Sequence, residues 1–234
     1  MKLPQAWGGV FCRTFTQLGY PRFALTREGL TNQIEDGICL LLKRVLENRG
    51  SKVFLEVKGV GFPIFDTDVD VLEFREDFAI AYEVKGLRQR LRGRTIKEKF
   101  LTGVKALEGL EQAMNHLFNA GYSVDYAYLV HPVLSFYGYV LRTARILETY
   151  TPIGYLVVDP TGEIRELVRP KSTERMGEKM ADVPRHELLA VSEIDVRSAL
   201  EKKLKRFSGL PLDITEKGLA ECYSIIQRGS RFPG

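Results

Sequence analysis

Four residues between positions 66 and 86, namely Asp68, Asp70, Glu83 and Lys85, have the types and spacing for hydrolytic chemistry. Val69, Val71 and Phe74 fall in a first expected strand and Arg75, Glu76 and Asp77 supply polar turn residues. Phe78, Ile80 and Tyr82 then alternate along a second strand. Side chains two apart on a strand share a face, so Glu83 and Lys85 project together while Val84 turns away. A turn near residue 76 returns Asp70, and less directly Asp68, beside Glu83 across the ladder. Two carboxylates and one ammonium at the end of a hairpin suit metal-dependent phosphodiester hydrolysis. The carboxylates hold a hard cation such as Mg²⁺, which keeps several waters and an open face for phosphate. The cation acidifies a bound water, and a neighbouring lysine adds positive charge where the transition state is most negative.

Asp70 followed, after a hydrophobic strand, by Glu83-x-Lys85 resembles the core signature of the PD-(D/E)XK nuclease superfamily, and the order of elements over residues 26–158 fits it. The resemblance implies a restriction-endonuclease-like fold and a Mg²⁺- or Mn²⁺-dependent deoxyribonuclease. Asp70 and Glu83 would be the metal ligands, with Asp68 as the alternative ligand and Lys85 assisting the attacking water. Glu35, on the first core helix, loosely matches a glutamate that joins the metal site in many members; a boundary carboxylate facing solvent is its other reading. Gln112 resembles the glutamine that RecB-type members carry on the helix after the Glu-x-Lys strand, but their tyrosine four residues later is His116 here. The tripeptide alone says little, because exposed Glu-x-Lys pairs are common ion pairs. Glu56, Val57 and Lys58 repeat its letters with no acidic strand before them.

The elements that must position these residues follow from the periodicity. Ile34, Ile38, Leu41, Leu42 and Val45 recur at helical spacing from an N-cap at Thr26 to a stop at 48–50. Residues 53–57 read as a strand, and Phe100, Val104, Leu107, Leu110, Met114, Leu117 and Phe118 as the apolar face of a helix over 96–120. Lys105, Glu108, Gln112 and His116 form that helix's opposite, polar row, whose plainer meaning is a face turned to solvent. A strand over 124–130, a helix over 133–147 and a hairpin from 153–158 to 163–168 follow, with His131 at a strand end where it could contact substrate, although an ordinary strand-terminal histidine is the plainer reading. The expected fold is α/β, a central mixed β-sheet flanked by helices, with a mainly helical C-terminal extension. The expected division is an N-terminal segment 1–25, a core 26–168 and an extension 169–234, whose two helices span 195–206 and 213–227.

Directly after Lys85, Arg88, Arg90, Arg92, Arg94, Lys97 and Lys99 set six cations against the single Glu98. Fused to the expected catalytic strand, such a segment would neutralise DNA backbone phosphates; a solvated, flexible connector is the plainer meaning of a charge run. The whole chain of 234 residues carries 34 basic and 30 acidic side chains, and a net charge of +4 does not by itself point to nucleic acid. Three dispersed cysteines and three histidines argue against a disulfide framework, an iron–sulfur cluster or a multi-histidine metal site. No apolar run approaches the about 20 residues of a membrane helix, and the first nine residues lack a signal peptide's apolar core. Cytoplasmic residence with no membrane partner is the expectation. A non-catalytic nucleic-acid-binding module, or an accessory subunit of a DNA-processing complex, is the competing reading, and a homodimer or a helicase/ATPase partner stays open.

Overall fold

In this computed structural model the description covers residues 22–24, 27–58, 68–92, 98–102, 104–133, 140–207 and 213–215. The chain is α/β, and its main feature is a mixed seven-stranded sheet. A short strand β1 (Arg22–Ala24) precedes α1 (Arg27–Thr31) and α2 (Glu35–Glu47), and β2 (Lys52–Lys58) leads to the hairpin of β3 (Val69–Arg75) and β4 (Phe78–Val84). Next come β5 (Arg88–Arg92), β6 (Glu98–Thr102), α3 (Leu110–Leu117), β7 (Tyr122–Ser123), β8 (Tyr126–Pro132) and α4 (Val140–Tyr150). The chain continues through β9 (Gly154–Val158), β10 (Ile164–Val168), β11 (Glu178–Lys179), β12 (Leu189–Val191), α5 (Glu193–Phe207) and β13 (Asp213–Thr215).

The sheet runs β10-β9-β8-β4-β3-β2-β12, and only the β4–β8 and β8–β9 pairs are parallel. Alternation along the strands sends side chains to two cores. Val71, Tyr82, Val84, Val130, Leu156 and Val158 pack with Ile38, Leu41, Leu42 and Leu46 of α2. Leu72, Ala81, Leu129, Tyr155 and Val157 pack on the other side with Ala113 and Leu117 of α3 and Ala144 and Leu147 of α4. Helix α5 lies against α2, and β12 pairs with β2, so the segment after residue 168 closes one edge of the central sheet.

The hairpin expected around residue 76 is present, with Glu76 at φ 53 in the turn. Three helical expectations are corrected. The single helix expected from residue 26 is broken at Asn32–Ile34, because both intervening side chains are tied to distant backbone. Asn32 Nδ2 donates to Pro160 O at 3.0 Å and Gln33 Nε2 to Val158 O at 3.0 Å. The chain re-enters helix from an extended Ile34, and Gly37 packs on α1 so tightly that a Cβ there would lie 2.0 Å from Thr31 O.

The helix expected over 96–120 shrinks to α3. Residues 98–102 instead pair with β5, with Arg88 opposite Thr102 and Arg92 opposite Glu98. Leu107 at φ 63 and Gly109 at φ 89 are left-handed, which a right-handed helix excludes, so the helix starts only at Leu110. Of the helix expected over 213–227, residues 213–215 form β13, antiparallel to β1, where the ladder with a distant segment replaces helical bonding. The remainder of that helix, residues 134–139 of the helix expected at 133–147, and the N-terminal segment before Arg22 lie outside the described residues. No helix among the described residues is long and apolar enough to cross a membrane.

Candidate active site at the end of the central hairpin

The register of β3 and β4 sets the site. Val71 lies opposite Tyr82, so one step further Asp70 falls opposite Glu83, on the face that α3 covers. Asp70 Oδ2 accepts the Val84 N–H at 2.7 Å, and among the described residues it is the one hydrogen-bonded oxygen of that carboxylate. Glu83 is fully buried, and each of its oxygens is engaged. Oε1 takes the Lys85 ammonium, and Oε2 faces His116 Nε2 at 3.1 Å. A buried carboxylate costs several kcal/mol unless it is paired and hydrogen-bonded, on the order of 3–5 kcal/mol when one partner is removed. Lys85 and His116 together meet that requirement.

Glu35 reaches the same place through the backbone. Beyond β4 the chain runs against the start of α2, with the Leu87 N–H donating to Gln33 O at 2.7 Å. Gly86 sits so close that a Cβ would lie 2.1 Å from the Glu35 nitrogen. The helix break thus sets half-buried Glu35 at the first turn of α2, beside Lys85, and not in mid-helix. Lys203 of α5 contacts the neighbouring Asp36 at 2.5 Å, bringing the C-terminal helix to the rim.

The electrostatics are those of crowded carboxylates. Burial, then Glu83 and Glu35, push the Asp70 carboxyl well above its ordinary range, and Lys85 and the Val84 N–H only partly oppose them. Glu35 is raised by burial against the pull of Lys85, Lys203 and Arg88. For Lys85, burial works against the ammonium, but Glu83, Asp70 and Glu35 outweigh it and raise its pKa. Lys85 is therefore a firm cation at neutral pH.

The turn before α3 roofs the pair. A Cβ at Gly109 would stand 3.1 Å from both Glu83 Cγ and Lys85 Cε. His131 holds this turn from below. Its Nε2 faces Glu108 O at 2.9 Å and therefore donates, while Nδ1 lies 3.3 Å from the Tyr155 hydroxyl. Burial pushes His131 down to about 4, so the ring is neutral. It is fully buried one residue from the end of β8, as the plainer reading of a strand-terminal histidine has it, and does not face a substrate. The Glu108 carboxylate pairs with Arg88 at 2.7 Å and accepts the Lys105 N–H at 2.8 Å. Those bonds outweigh its burial and lower its pKa.

Asp70, Glu83, Lys85 and Glu35 are thus brought together. Asp68 stands exposed just before β3, and no described hydrogen bond or ion pair joins it to them. Gln112 is half-buried on α3, one turn before His116. The row expected to face solvent carries instead, in His116, a buried partner of Glu83. His116 is the residue that sequence reasoning missed; its helical spacing from Gln112 was the available signal. Of the basic segment, Arg88, Arg90 and Arg92 lie in β5, where a flexible connector was the plainer expectation, while Arg94 and Lys97 fall outside the described residues.

Among the described residues no group of three or more His, Cys, Asp or Glu side chains is arranged to hold a metal ion. The chemistry of the donors still fits a hard cation. Three carboxylates face one ammonium, and Asp70 keeps an oxygen unbonded among the described residues. Mg²⁺ uses one or two carboxylates and fills its remaining positions with water and phosphate. No family model matches the chain, and neither a curated protein nor a solved structure matches it.

Proposed function

We propose that this chain is a Mg²⁺- or Mn²⁺-dependent deoxyribonuclease similar to the PD-(D/E)XK superfamily. The observation that carries the reading is the convergence of Asp70, Glu83 and Lys85 at one end of adjacent strands, with more carboxyl groups than ammonium groups. The order α2-β2-β3-β4-α3-β8, with β4 and β8 parallel, supports it, since it is the succession the resemblance implies.

Asp70, through its open oxygen, and Glu83 would hold the cation, with Glu35 as a supplement. When bound, the cation would acidify a water and offset charge on the phosphate. Lys85, an ammonium paired with Glu83 in the metal-free protein, would orient the nucleophile and donate to the phosphate oxygens. Arg88, Arg90 and Arg92, directly downstream of the catalytic strand, would contact backbone phosphates and guide DNA to the site.

The test is incubation of labelled duplex, single-stranded and branched DNA with Mg²⁺, Mn²⁺ or EDTA. Cutting that EDTA abolishes, and that Lys85→Ala reduces while the variant still melts cooperatively, is the expected outcome. A second reading, a non-catalytic DNA-binding module, is favoured by one observation, that both Glu83 oxygens are already bonded. Salt-sensitive binding with no cutting under either ion would move it to first place.

A further inference from the structure

We infer that His116 is a positioning residue for the metal site, fixing the Glu83 carboxylate so that it can share a cation with Asp70; this rests on the reading of those two carboxylates as metal ligands.

Glu83 is entirely buried and His116 is 3 % exposed, so neither side chain has solvent to fall back on. A carboxylate only accepts hydrogen bonds, so the ring nitrogen 3.1 Å from Oε2 carries a hydrogen and donates. Lys85 holds the other oxygen. Lys85 sits on a flexible stem, and a lysine alone would let the carboxylate rotate with it. The ring on α3 supplies a directional donor from a rigid element and sets the plane of the carboxylate. One lone pair on each oxygen is then left for other partners. The Asp70 side chain enters from the neighbouring strand. Removing the ring leaves Oε2 unsatisfied in a dry site, and the carboxylate would turn to a tighter pairing with Lys85. That arrangement withdraws it from a shared cation.

A structural histidine would move stability alone, whereas a positioning histidine moves cation affinity. Partners that orient metal ligands commonly change affinity or activity about 10–100-fold when removed. Mn²⁺ binding to the DNA-free protein is read by electron paramagnetic resonance for wild type, Asp70→Asn, His116→Leu and His116→Gln, with a thermal melt of each. Leucine approximates the ring's bulk without a donor, and glutamine restores an N–H. The expected result is Mn²⁺ binding by wild type that is lost in Asp70→Asn and weakened about 10–100-fold in His116→Leu. His116→Gln should recover most of it. In cleavage at saturating Mn²⁺, His116→Leu should lower kcat with KM for DNA little changed.

Unchanged Mn²⁺ affinity in folded His116→Leu, with wild-type binding intact, overturns the inference and leaves the nuclease reading standing. So does His116→Gln being as weak as His116→Leu. If His116→Leu does not fold, His116→Gln against wild type decides alone: near wild-type affinity supports a donor role, and a full 10–100-fold loss overturns it. Absence of Mn²⁺ binding and of cutting by wild type overturns the metal reading itself, and the inference with it.

Discussion

Folding disfavours a charge on Asp70. Burial and the negative neighbours Glu83 and Glu35 raise its pKa above that of the unfolded chain. For a carboxyl raised on folding, stability is full below the unfolded pKa of about 3.9 and is lost as pH rises through the folded pKa. The buried Asp70 carboxyl therefore costs the metal-free protein stability at neutral pH. Asp70→Asn keeps an oxygen for the Val84 N–H and removes that penalty. In EDTA at neutral pH its melting temperature should exceed that of wild type, by about 2–4 °C for each kcal/mol recovered. The gain should shrink as the pH falls toward 4, and calorimetry across pH checks it; a gain independent of pH would contradict the assignment. Asp70, Glu83 and Lys85 were legible because strand alternation and one turn determine which face each shares. His116 was not, since its meeting with Glu83 depends on how α3 packs across the sheet, which no local period encodes.

At the scale of elements, the turn from Val104 to Gly109 is anchored so that Gly109 covers Glu83 and Lys85. His131 and Arg88 hold it through Glu108, and Gly109 lies against Glu83 and Lys85. Gly50, which follows α2, shares the same left-handed φ of 89° with nothing within 4 Å of a built Cβ. Alanine at Gly50 should cost about 1 kcal/mol of stability from backbone strain alone and leave cutting unchanged. Alanine at Gly109 adds contact with Glu83 and Lys85, so it should cost about 1–3 kcal/mol and, on the proposed function, also slow cutting. Melting and cleavage of the two variants side by side provide the check, and equal cleavage would contradict the roof's role. The central hairpin and the β9–β10 hairpin were readable, since their registers follow from alternation and turn residues. The break at Asn32–Ile34 was not, because its hydrogen bonds cross more than a hundred residues. Phe100, Val104, Leu107 and Leu110 imitate a helix period, yet the pairing of residues 98–102 with β5 overrides it.

Across the whole molecule, the α/β class and a mixed sheet covered on both faces were legible from the order of strands and helices. The way the chain after residue 168 returns to the sheet, through β12 beside β2, was not, because an exposed three-residue strand carries almost no periodic signal. With a net charge of +4, the proposed attraction for DNA would come from local clusters, and the arginines of β5 with Lys202, Lys205 and Arg206 of α5 are the candidates. Binding and chemistry should therefore be separable, since the site itself is acidic. The most direct measurement compares Mg²⁺-dependent cleavage and DNA affinity for wild type and Asp70→Asn on the same labelled DNA. Cutting should fall by more than about 100-fold in the variant, as when a group serving the transition state is lost, while DNA affinity stays at least as high. Equal cutting by both proteins, or none by wild type on any DNA with either ion, would contradict the account.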